Sequence, residues 1–333
     1  MKRVFVTGST GYVGSKLIEE LAITGYQVHA LYRDEKKLPN IKHKNIVYYK
    51  GDLDDIGSLQ IAMRGCEGLF HTAALARLWA KDVSVFYKVN VEGTKNVIAA
   101  AKEAGITKAV FTTSAGVLGP AITKPIAESQ LNPLPFISDY ERSKYLADEA
   151  ILKAQSDTFK PILVYPTRIF GPGLLGESNS VSLMIHRYIL GKWHFIPGNG
   201  QAVGNYVYID DVVKGHIQAY ERGAGGEGYL LGGTNLSYID FFNHLKKVSG
   251  LSYSLFKIPL WLMKLIAYLF LVRTQLTGIP PLITSAFVKK FVYDWEVNCE
   301  KSMALLDYSP TSFEKALSET VYWLKDDIFG NKD

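Results

Sequence analysis

The sequence predicts an α/β fold, a doubly wound parallel sheet with helices on both faces. Three observations carry that expectation. The chain opens on a short apolar run, Val4-Phe5-Val6, that ends in a glycine turn, Thr7-Gly8-Ser9-Thr10-Gly11-Tyr12-Val13-Gly14. Val13, Leu17, Ile18 and Leu21 then recur at helical spacing, so the turn joins a buried strand to a helix. Further apolar runs alternate with helical stretches at the same rhythm, the pattern of parallel strands joined by helical crossovers.

Val28–Tyr32 reads as the second strand, Ile46–Tyr49 as the third and Leu69–Thr72 as the fourth, with Ala73 and Ala74 after it. A single long helix is expected over Val83–Ala104, carrying Asn90 and Gly93, and a fifth strand over Ala109–Ser114. Ligands of such sheets bind outside the carboxyl ends of the strands. Gly8, Tyr32, Asp52, Ala73 and Ser114 all fall at ends of that kind. Farther on, Tyr206–Tyr220 reads as a strand and helix rejoining the sheet, and Gly228–Leu231 as one more strand after the glycines at 223, 225 and 226. A helix is expected from Ser237 to Val248, and the rest to Lys325 is helical by pattern.

The chain has 333 residues, 47% apolar and 21% charged, with a formal net charge of +5. This is the composition of an ordinary globular protein. The excess Lys and Arg are scattered, as in Lys36, Lys37, Lys42 and Lys44, so nucleic acid is not an expected partner. Two distant cysteines, Cys66 and Cys299, lack metal-ligand spacing, and no metal is expected. Their number fits the reducing cytoplasm, and the N-terminus enters the first strand with no room for a signal peptide. Ile258–Val272 is strongly apolar but interrupted by Lys264 and shorter than the roughly 20 residues of a membrane span. It is expected to line a core or an apolar pocket, with contact to a membrane surface as the minor reading.

At a strand–turn–helix junction the first glycine permits the tight turn, the second lets backbone approach a pyrophosphate, and the third lets helix pack on strand. The spacing here is GxxGxxG, which alone is weak evidence, because such turns are common for structural reasons. The end of the second strand lies beside the adenosine ribose in nucleotide-binding units, where a carboxylate takes the 2′-hydroxyl. Here Tyr32 and Arg33 stand there. An Arg accepts a 2′-phosphate, so NADP(H) is expected over NAD(H); Asp34 still offers a carboxylate for the hydroxyl.

Tyr140 and Lys144 lie four apart at the start of a further helix and project from one face. A lone YxxxK is more often a surface pair. Following a strand that ends in Ser114, it makes coherent chemistry. A phenol with a pKa of about 10 is a poor acid–base catalyst at neutral pH, and an adjacent ammonium lowers that pKa. A serine hydroxyl then stabilises charge developing on a substrate oxygen.

With these residues the sequence resembles the extended short-chain dehydrogenase/reductases, the NAD-dependent epimerase/dehydratases. The carrying stretches are TGSTGYVG (7–14), GDL (51–53), HTAA (71–74), NVEGT (90–94), FTTSAGVLG (111–119), YERSK (140–144), YPTRIFGPG (165–173) and YVYIDDVVKGHIQAY (206–220). The resemblance implies a Rossmann-type fold with residues 1–170 binding the dinucleotide and 205–232 returning to that domain. Residues 171–204 and 233–333 would form a smaller, mostly helical substrate region. It implies that Gly8, Gly11 and Gly14, with Thr10, Tyr12 and Val13, hold the pyrophosphate. Asp52 and Leu53 would meet the adenine, and Tyr32 and Arg33 the ribose. Thr72, Ala73, Ala74, Thr112, Pro166 and Thr167 would border the nicotinamide side, and Asn90 would support the active-site helix. Ser114 would polarise the substrate oxygen, with Thr113 as the runner-up. Tyr140 would transfer the proton, and Lys144 would tune Tyr140 and bind the nicotinamide ribose.

Within the family the likeness is nearest to dihydroflavonol 4-reductase-like members. Sugar-nucleotide members carry an Arg and an Asn around the GP motif, where this chain has Tyr165 and Arg168. They also carry an Arg before the YVDD-type segment, where Gly204 stands. Loss of that clamp, at about 1.5–3 kcal/mol per charged hydrogen bond, argues against a sugar-nucleotide substrate unless Arg168 or Arg187 compensates. The expected pocket is apolar and aromatic: Leu75, Leu78, Trp79, Leu118, Phe170, Leu174, Leu175, Trp193 and Tyr206. Several of these can equally be core, Phe170 and Tyr206 above all. Arg77, Trp79, Ser114 and Tyr206 are the candidate substrate contacts. His71, at the end of a buried strand, is taken as packing beside the cofactor without a proton-transfer role.

The sequence thus predicts an NADP(H)-dependent oxidoreductase that reduces a ketone or aldehyde of a fairly apolar molecule, or oxidises the alcohol. A sugar epimerase or dehydratase with retained cofactor and a non-catalytic dinucleotide sensor are the alternatives. The family also implies a homodimer packed through the helices Val83–Ala104 and Tyr140–Gln155.

Overall fold

A computed structural model of the chain describes residues 2–77, 79–123 and 125–329. The chain begins with β1 (Arg3–Thr7), α1 (Tyr12–Ile23), β2 (Gln27–Tyr32), β3 (Ile46–Lys50), α2 (Ile56–Met63) and β4 (Gly68–His71). Next come α3 (Ser84–Tyr87), a π-helical segment (Lys88–Glu92), α4 (Gly93–Glu103) and β5 (Lys108–Thr112). A 3₁₀ turn (Ala115–Leu118), α5 (Asp139–Lys153), β6 (Lys160–Pro166), β7 (Arg168–Phe170) and α6 (Ser180–Ile189) follow. The remainder runs through β8 (Phe195–Pro197), β9 (Val203–Tyr208), α7 (Ile209–Arg222), β10 (Gly228–Leu231), β11 (Thr234–Ser237) and α8 (Tyr238–Ser249). It ends in β12 (Phe256–Ile258), α9 (Leu260–Thr277), α10 (Ser285–Lys289), α11 (Glu300–Leu306) and α12 (Phe313–Phe329).

Seven strands form one sheet in the order β10-β6-β5-β4-β1-β2-β3, every pair parallel. This is the doubly wound, Rossmann-type sheet expected. Strand order reverses at β1, between β2 and β4, which opens a crevice above their carboxyl ends. The alternation of β1 sorts its side chains to two cores. Val4 and Val6 pack with Leu17, Ile18 and Leu21 of α1 on one face. Phe5 packs with Leu59, Ala62, Leu69 and Val97 on the other, against α2 and α4. Each fully buried aliphatic side chain contributes about 1.5–3 kcal/mol, so the sheet's middle layer is fixed firmly beneath the crevice.

Five differences from the sequence reading have physical causes. The fifth strand stops at Thr112, because Ser114 caps the 3₁₀ turn by accepting the Gly116 N–H at 3.2 Å. The helix expected over Val83–Ala104 is broken by the π segment that contains Asn90. Strand β6 was not singled out from sequence, although its PILVY run is continuously apolar. Tyr206 lies in β9, which pairs with β7 and β11 in a separate three-stranded sheet and not with the large one; only α7 returns to cover β5, β6 and β10. The C-terminal third is also not wholly helical, since β11 and β12 interrupt it.

Helix α9 departs most from expectation. Of its 18 residues only Met263, Ala267 and Thr274 are buried. Met263 and Ala267 join the core, but Trp261, Leu265, Tyr268, Leu269, Leu271 and Leu276 are exposed, and the helix does not line the substrate cavity. By length and composition it is long and apolar enough to cross a bilayer.

Candidate active site

The glycine turn is built for close backbone approach. Gly8 sits at φ +71°, and a Cβ there would meet the Ala73 nitrogen at 2.6 Å. A Cβ on Gly14 would stand 2.1 Å from the Gly8 carbonyl oxygen, so this glycine is what lets α1 lie on β1. The Gly11 N–H donates to that same oxygen at 2.9 Å. Ser9 is buried and donates to the Leu31 carbonyl at 2.6 Å, tying the turn to β2. Tyr12 reaches across to donate to the Gly171 carbonyl at 3.0 Å. Gly11, the N-cap of α1, offers no side chain to the helix's first amides. Those amides and the positive end of the helix dipole suit an anion, and the bare backbone at Gly8 and Gly11 leaves room for one. The residues present therefore fit a dinucleotide pyrophosphate.

Beneath the turn runs a chain of buried hydroxyls. Thr94 Oγ1 donates to the Asn90 carbonyl at 2.7 Å, so it accepts from His71 Nε2 at 3.0 Å. His71 Nδ1 then accepts from Thr7 Oγ1 at 2.8 Å, and Thr7 in turn takes the Ala73 N–H at 3.3 Å. Burial, with Lys144 adding to it, pushes the His71 pKa down to about 3. The ring is a neutral strut and holds the Thr72–Ala74 loop. Asn90 steadies the same loop: its Oδ1 accepts the Leu75 N–H at 2.7 Å, and its Nδ2 donates to Ser143 Oγ at 2.9 Å. The π segment is what aims Asn90 at both the loop and α5.

At the adenosine end, Arg33 pairs with Asp52 at 3.6 Å across the ends of β2 and β3, both side chains well exposed. Asp34 is occupied in accepting the Lys36 N–H at 3.1 Å. Leu53 packs against Gly93, where a Cβ would come within 3.1 Å of its own. Tyr32 meets Tyr48 edge-on.

A single cavity of about 720 Å³ joins the glycine turn to the ends of β5, β6 and β7. Ser114, Tyr140 and Lys144 all line it, with Gly8, Gly11, Tyr12, Val13, Gly14, Thr72, Ala74, Thr112, Pro166 and Thr167. Thr10, Tyr32, Arg33, Asp52, Leu53, Ala73 and Asn90 stand outside its wall.

Tyr140 reaches this position because Ser138 caps α5, accepting the Glu141 N–H at 3.3 Å, with Asp139 and Glu141 in the first turn to complement the dipole. Ser114 lies beside the Tyr140 phenol on the cavity wall and lowers its pKa. Thr113 also borders the cavity, but its hydroxyl is spent on Asp148 Oδ2 at 2.8 Å. Thr112 spends its hydroxyl on His216 Nε2 at 2.7 Å and offers its carbonyl to Lys144 Nζ at 2.7 Å.

The electrostatics differ from the sequence expectation in one respect. Burial pushes the Tyr140 phenol up to about 12, and the carboxylates of Glu141 and Asp148 add to this, while the Ser114 hydroxyl pulls it down. The Lys144 ammonium is held on the Thr112 carbonyl. Its own pKa is lowered by burial and supported by Asp148. Asp148, raised by burial to about 7, is steadied by Lys144 and Thr113. Tyr140, Lys144 and Asp148 thus stack one turn apart along α5.

The far wall comes from the later chain. Arg77, Leu75, Trp193 and Tyr206 line the cavity as expected, with Met184, Tyr238, Phe287, Phe291 and Trp295 beside them. Trp79, Leu118, Phe170, Leu174 and Leu175 do not line it. Phe170 is core, packed on Tyr208 and Phe313, and Leu174 is exposed. Leu78 lies outside the described residues. Lys290 also lines the cavity, and its ammonium meets the buried Glu141 carboxylate at 2.7 Å, linking the C-terminal segment to α5. The residues after 280 carry no motif, so nothing in the sequence marked them as cavity wall.

Residues 4–232 match the NAD dependent epimerase/dehydratase family. The chain belongs to that family. Its members bind an NAD(P) dinucleotide, and this epimerase/dehydratase-family protein is an NAD(P)-dependent oxidoreductase of the extended short-chain class. It is 32% identical to a protein of Synechocystis sp. named for dihydroflavonol 4-reductase, over 96% of this chain and 94% of that one. It is 29% identical to a decarboxylating sterol-4-alpha-carboxylate 3-dehydrogenase of Mus musculus, over 96% of this chain and 90% of the other. Among solved structures, the crystal structure of gox2253 superposes with a TM-score of 0.80 at 29% identity, covering 98% of this chain and 99% of that one.

Proposed function

We propose that this family member is a reductase that prefers NADP(H) and converts a ketone or aldehyde on a fairly apolar small molecule to the alcohol. The observation that carries this reading is that Ser114, Tyr140 and Lys144 line one cavity with the glycine turn. When bound, the nicotinamide dinucleotide supplies the two-electron redox chemistry. Gly8, Gly11 and Gly14 with the α1 amides would hold its pyrophosphate. Ser114 orients the substrate oxygen and donates to the charge that develops there. A phenol held up at about 12 is fully protonated at neutral pH and stands ready to give its proton to a forming alkoxide. Lys144, one turn along α5 and held on the Thr112 carbonyl, would donate to the ribose hydroxyls. The wall of Met184, Trp193, Phe287 and Phe291 suits an apolar substrate body.

The preference for NADP(H) is supported by Arg33, whose pairing with Asp52 is exposed and open to competition from a 2′-phosphate. One observation favours the sugar-nucleotide alternative: Arg168 lies over Gly204, where a Cβ would meet Nη1 at 2.4 Å. A guanidinium therefore stands near the place that sugar-nucleotide members fill from that strand. A homodimer formed through α4 and α5 completes the reading and is checked by light scattering.

The deciding experiment is a carbonyl panel followed at the NADPH absorbance and repeated with NADH. Turnover with NADPH is expected, falling by about 10²–10⁴-fold in Tyr140→Phe while cofactor affinity is retained. Full activity in Tyr140→Phe removes the mechanism, and faster turnover with NADH removes the role given to Arg33. Protein that keeps its cofactor through purification and shows no net turnover supports the epimerase reading.

A further inference from the structure

Arg168 is a cation in the cavity wall with no acidic partner. Its guanidinium donates through Nη1 to the Tyr238 hydroxyl at 2.8 Å and to the Tyr206 hydroxyl at 3.4 Å. It also lies over both rings, 5.5 and 5.6 Å from their centroids. No carboxylate forms an ion pair with it among the described residues. Both hydrogen bonds use one nitrogen, and an arginine has five N–H donors in a rigid fork. A charge held in this way out of bulk water calls for a counter-ion. The other cations of the cavity have their own partners or lie at its rim: Lys144 on the Thr112 carbonyl, Lys290 on Glu141, and Arg77 exposed.

We infer that Arg168 is the docking point for a single carboxylate on the substrate, making the substrate class an oxo acid (or its hydroxy acid) with an apolar body. This rests on the reductase reading above. One planar fork matches one carboxylate, whereas a diphosphate spreads its charge over two groups and calls for more than one cation. The wall beside Arg168, from Ile169, Val181, Met184 and Phe291, provides for the apolar remainder.

The test compares oxodecanoates differing in ketone position with their methyl esters, using wild type, Arg168→Met and Arg168→Lys with NADPH. Wild type is expected to favour acid over ester by about tenfold or more in kcat/KM, the worth of one charged hydrogen-bonded contact. Arg168→Met should lose that preference while keeping its rate on esters, and Arg168→Lys should keep part of it. Equal rates on acid and ester, or an Arg168→Met loss common to both, overturns the proposal. Calorimetric binding of decanoate, which has no carbonyl, separates the two failures. Binding that is weakened in Arg168→Met upholds the carboxylate site even if no ketone is reduced. Tighter Arg168-dependent binding of UDP-glucose overturns it in favour of a diphosphate.

Helix α9 presents a second, independent surface. Its buried stripe is narrow, and the rest of its circumference is apolar and exposed, the reverse of a helix on a water-soluble surface. Trp261 is 68% exposed and Leu276 82%, and the exposed apolar surface continues through Ile279 and Leu282. From Leu251 to Tyr293 the sequence has no Asp or Glu, and besides Lys290, which Glu141 holds, it carries the exposed cations Lys257, Lys264, Arg273 and Lys289. We infer that α9 lies flat in the surface of an anionic lipid bilayer. Apolar side chains with interfacial Trp and Tyr enter the headgroup boundary, and the cations meet the phosphates. Helix α10 packs on α9 and supplies Phe287 to the cavity wall, so the docked face adjoins the substrate site.

Cosedimentation of the full chain with phosphatidylcholine vesicles, with and without phosphatidylglycerol, tests this. Salt-sensitive binding to the phosphatidylglycerol vesicles is expected. A Trp261→Ser, Leu269→Ser, Leu276→Ser variant should stay in solution with its melting temperature unchanged. Absence of binding by the wild type overturns the inference. So does a concentration-dependent oligomer that the same variant abolishes, because the face would then be covered by a second copy.

Discussion

Two adjacent hydroxyls at the end of β5 take opposite parts. Thr113 is turned inward to Asp148, and Ser114, on extended backbone one residue on, meets Tyr140. Ser114→Ala should lower turnover by about 10²–10³-fold, with a stability loss no larger than that of its cap on Gly116, about 0.5–2 kcal/mol. Thr113→Val should instead leave a buried carboxylate without its donor and cost about 1–3 kcal/mol in urea denaturation, with a smaller effect on rate. A larger rate loss in Thr113→Val than in Ser114→Ala would reverse the assignment. The sequence offered both hydroxyls at one strand end, and only the point where β5 stops separates them. The glycine positions were legible because their reasons are local. Arg168 was visible only as a charge in an unusual place, since its partners Tyr206 and Tyr238 come from other strands and helices.

Six of the seven strands of the large sheet, all but β6, are legible to within a residue or two, because a parallel sheet buries both faces and leaves continuous apolar runs. The π segment and the departure of β9 to a second sheet were not legible, for both are fixed by tertiary contacts that no local period records. Two of these elements also carry buried histidines with a pH consequence. His71 in β4 is lowered to about 3 and His216 in α7 to about 4, in each case mainly by burial. His216 Nδ1 donates to the Val212 carbonyl at 2.7 Å, which leaves Nε2 to accept from Thr112. Both folded values lie below the ordinary 6.5, so the unfolded chain binds more protons as pH falls below it. Their contribution is complete above about pH 6.5 and is lost progressively toward pH 4 and 3, at up to about 1.4 kcal/mol per pH unit for each ring. Urea midpoints measured from pH 7 to pH 5 should fall, and a smaller fall is expected in His216→Gln. An unchanged midpoint would mean that the rings are solvated.

Across the whole molecule, the chemistry is supplied by the first half of the chain and much of the substrate wall by the second, and β10 and α7 bind the two together through the large sheet. The segment 294–298 is stitched to the loop at 121–126: Ala121 N–H donates to the Asp294 carbonyl at 2.8 Å and Ile126 N–H to the Glu296 carbonyl at 2.7 Å. The Lys290–Glu141 pair is the charged member of this seam. Lys290→Met strands a buried carboxylate and should cost about 3 kcal/mol or more, and adding Glu141→Gln should recover much of it. Additive losses in the double-mutant cycle would show the two groups to be independent. The contact between Arg168 and Gly204 has a further consequence for how specificity can change by mutation. Any side chain introduced at 204 must displace the guanidinium lying there and with it the bonds to Tyr206 and Tyr238. A substitution on β9 therefore also resets the anchoring cation on β7, and the two positions change recognition as a pair.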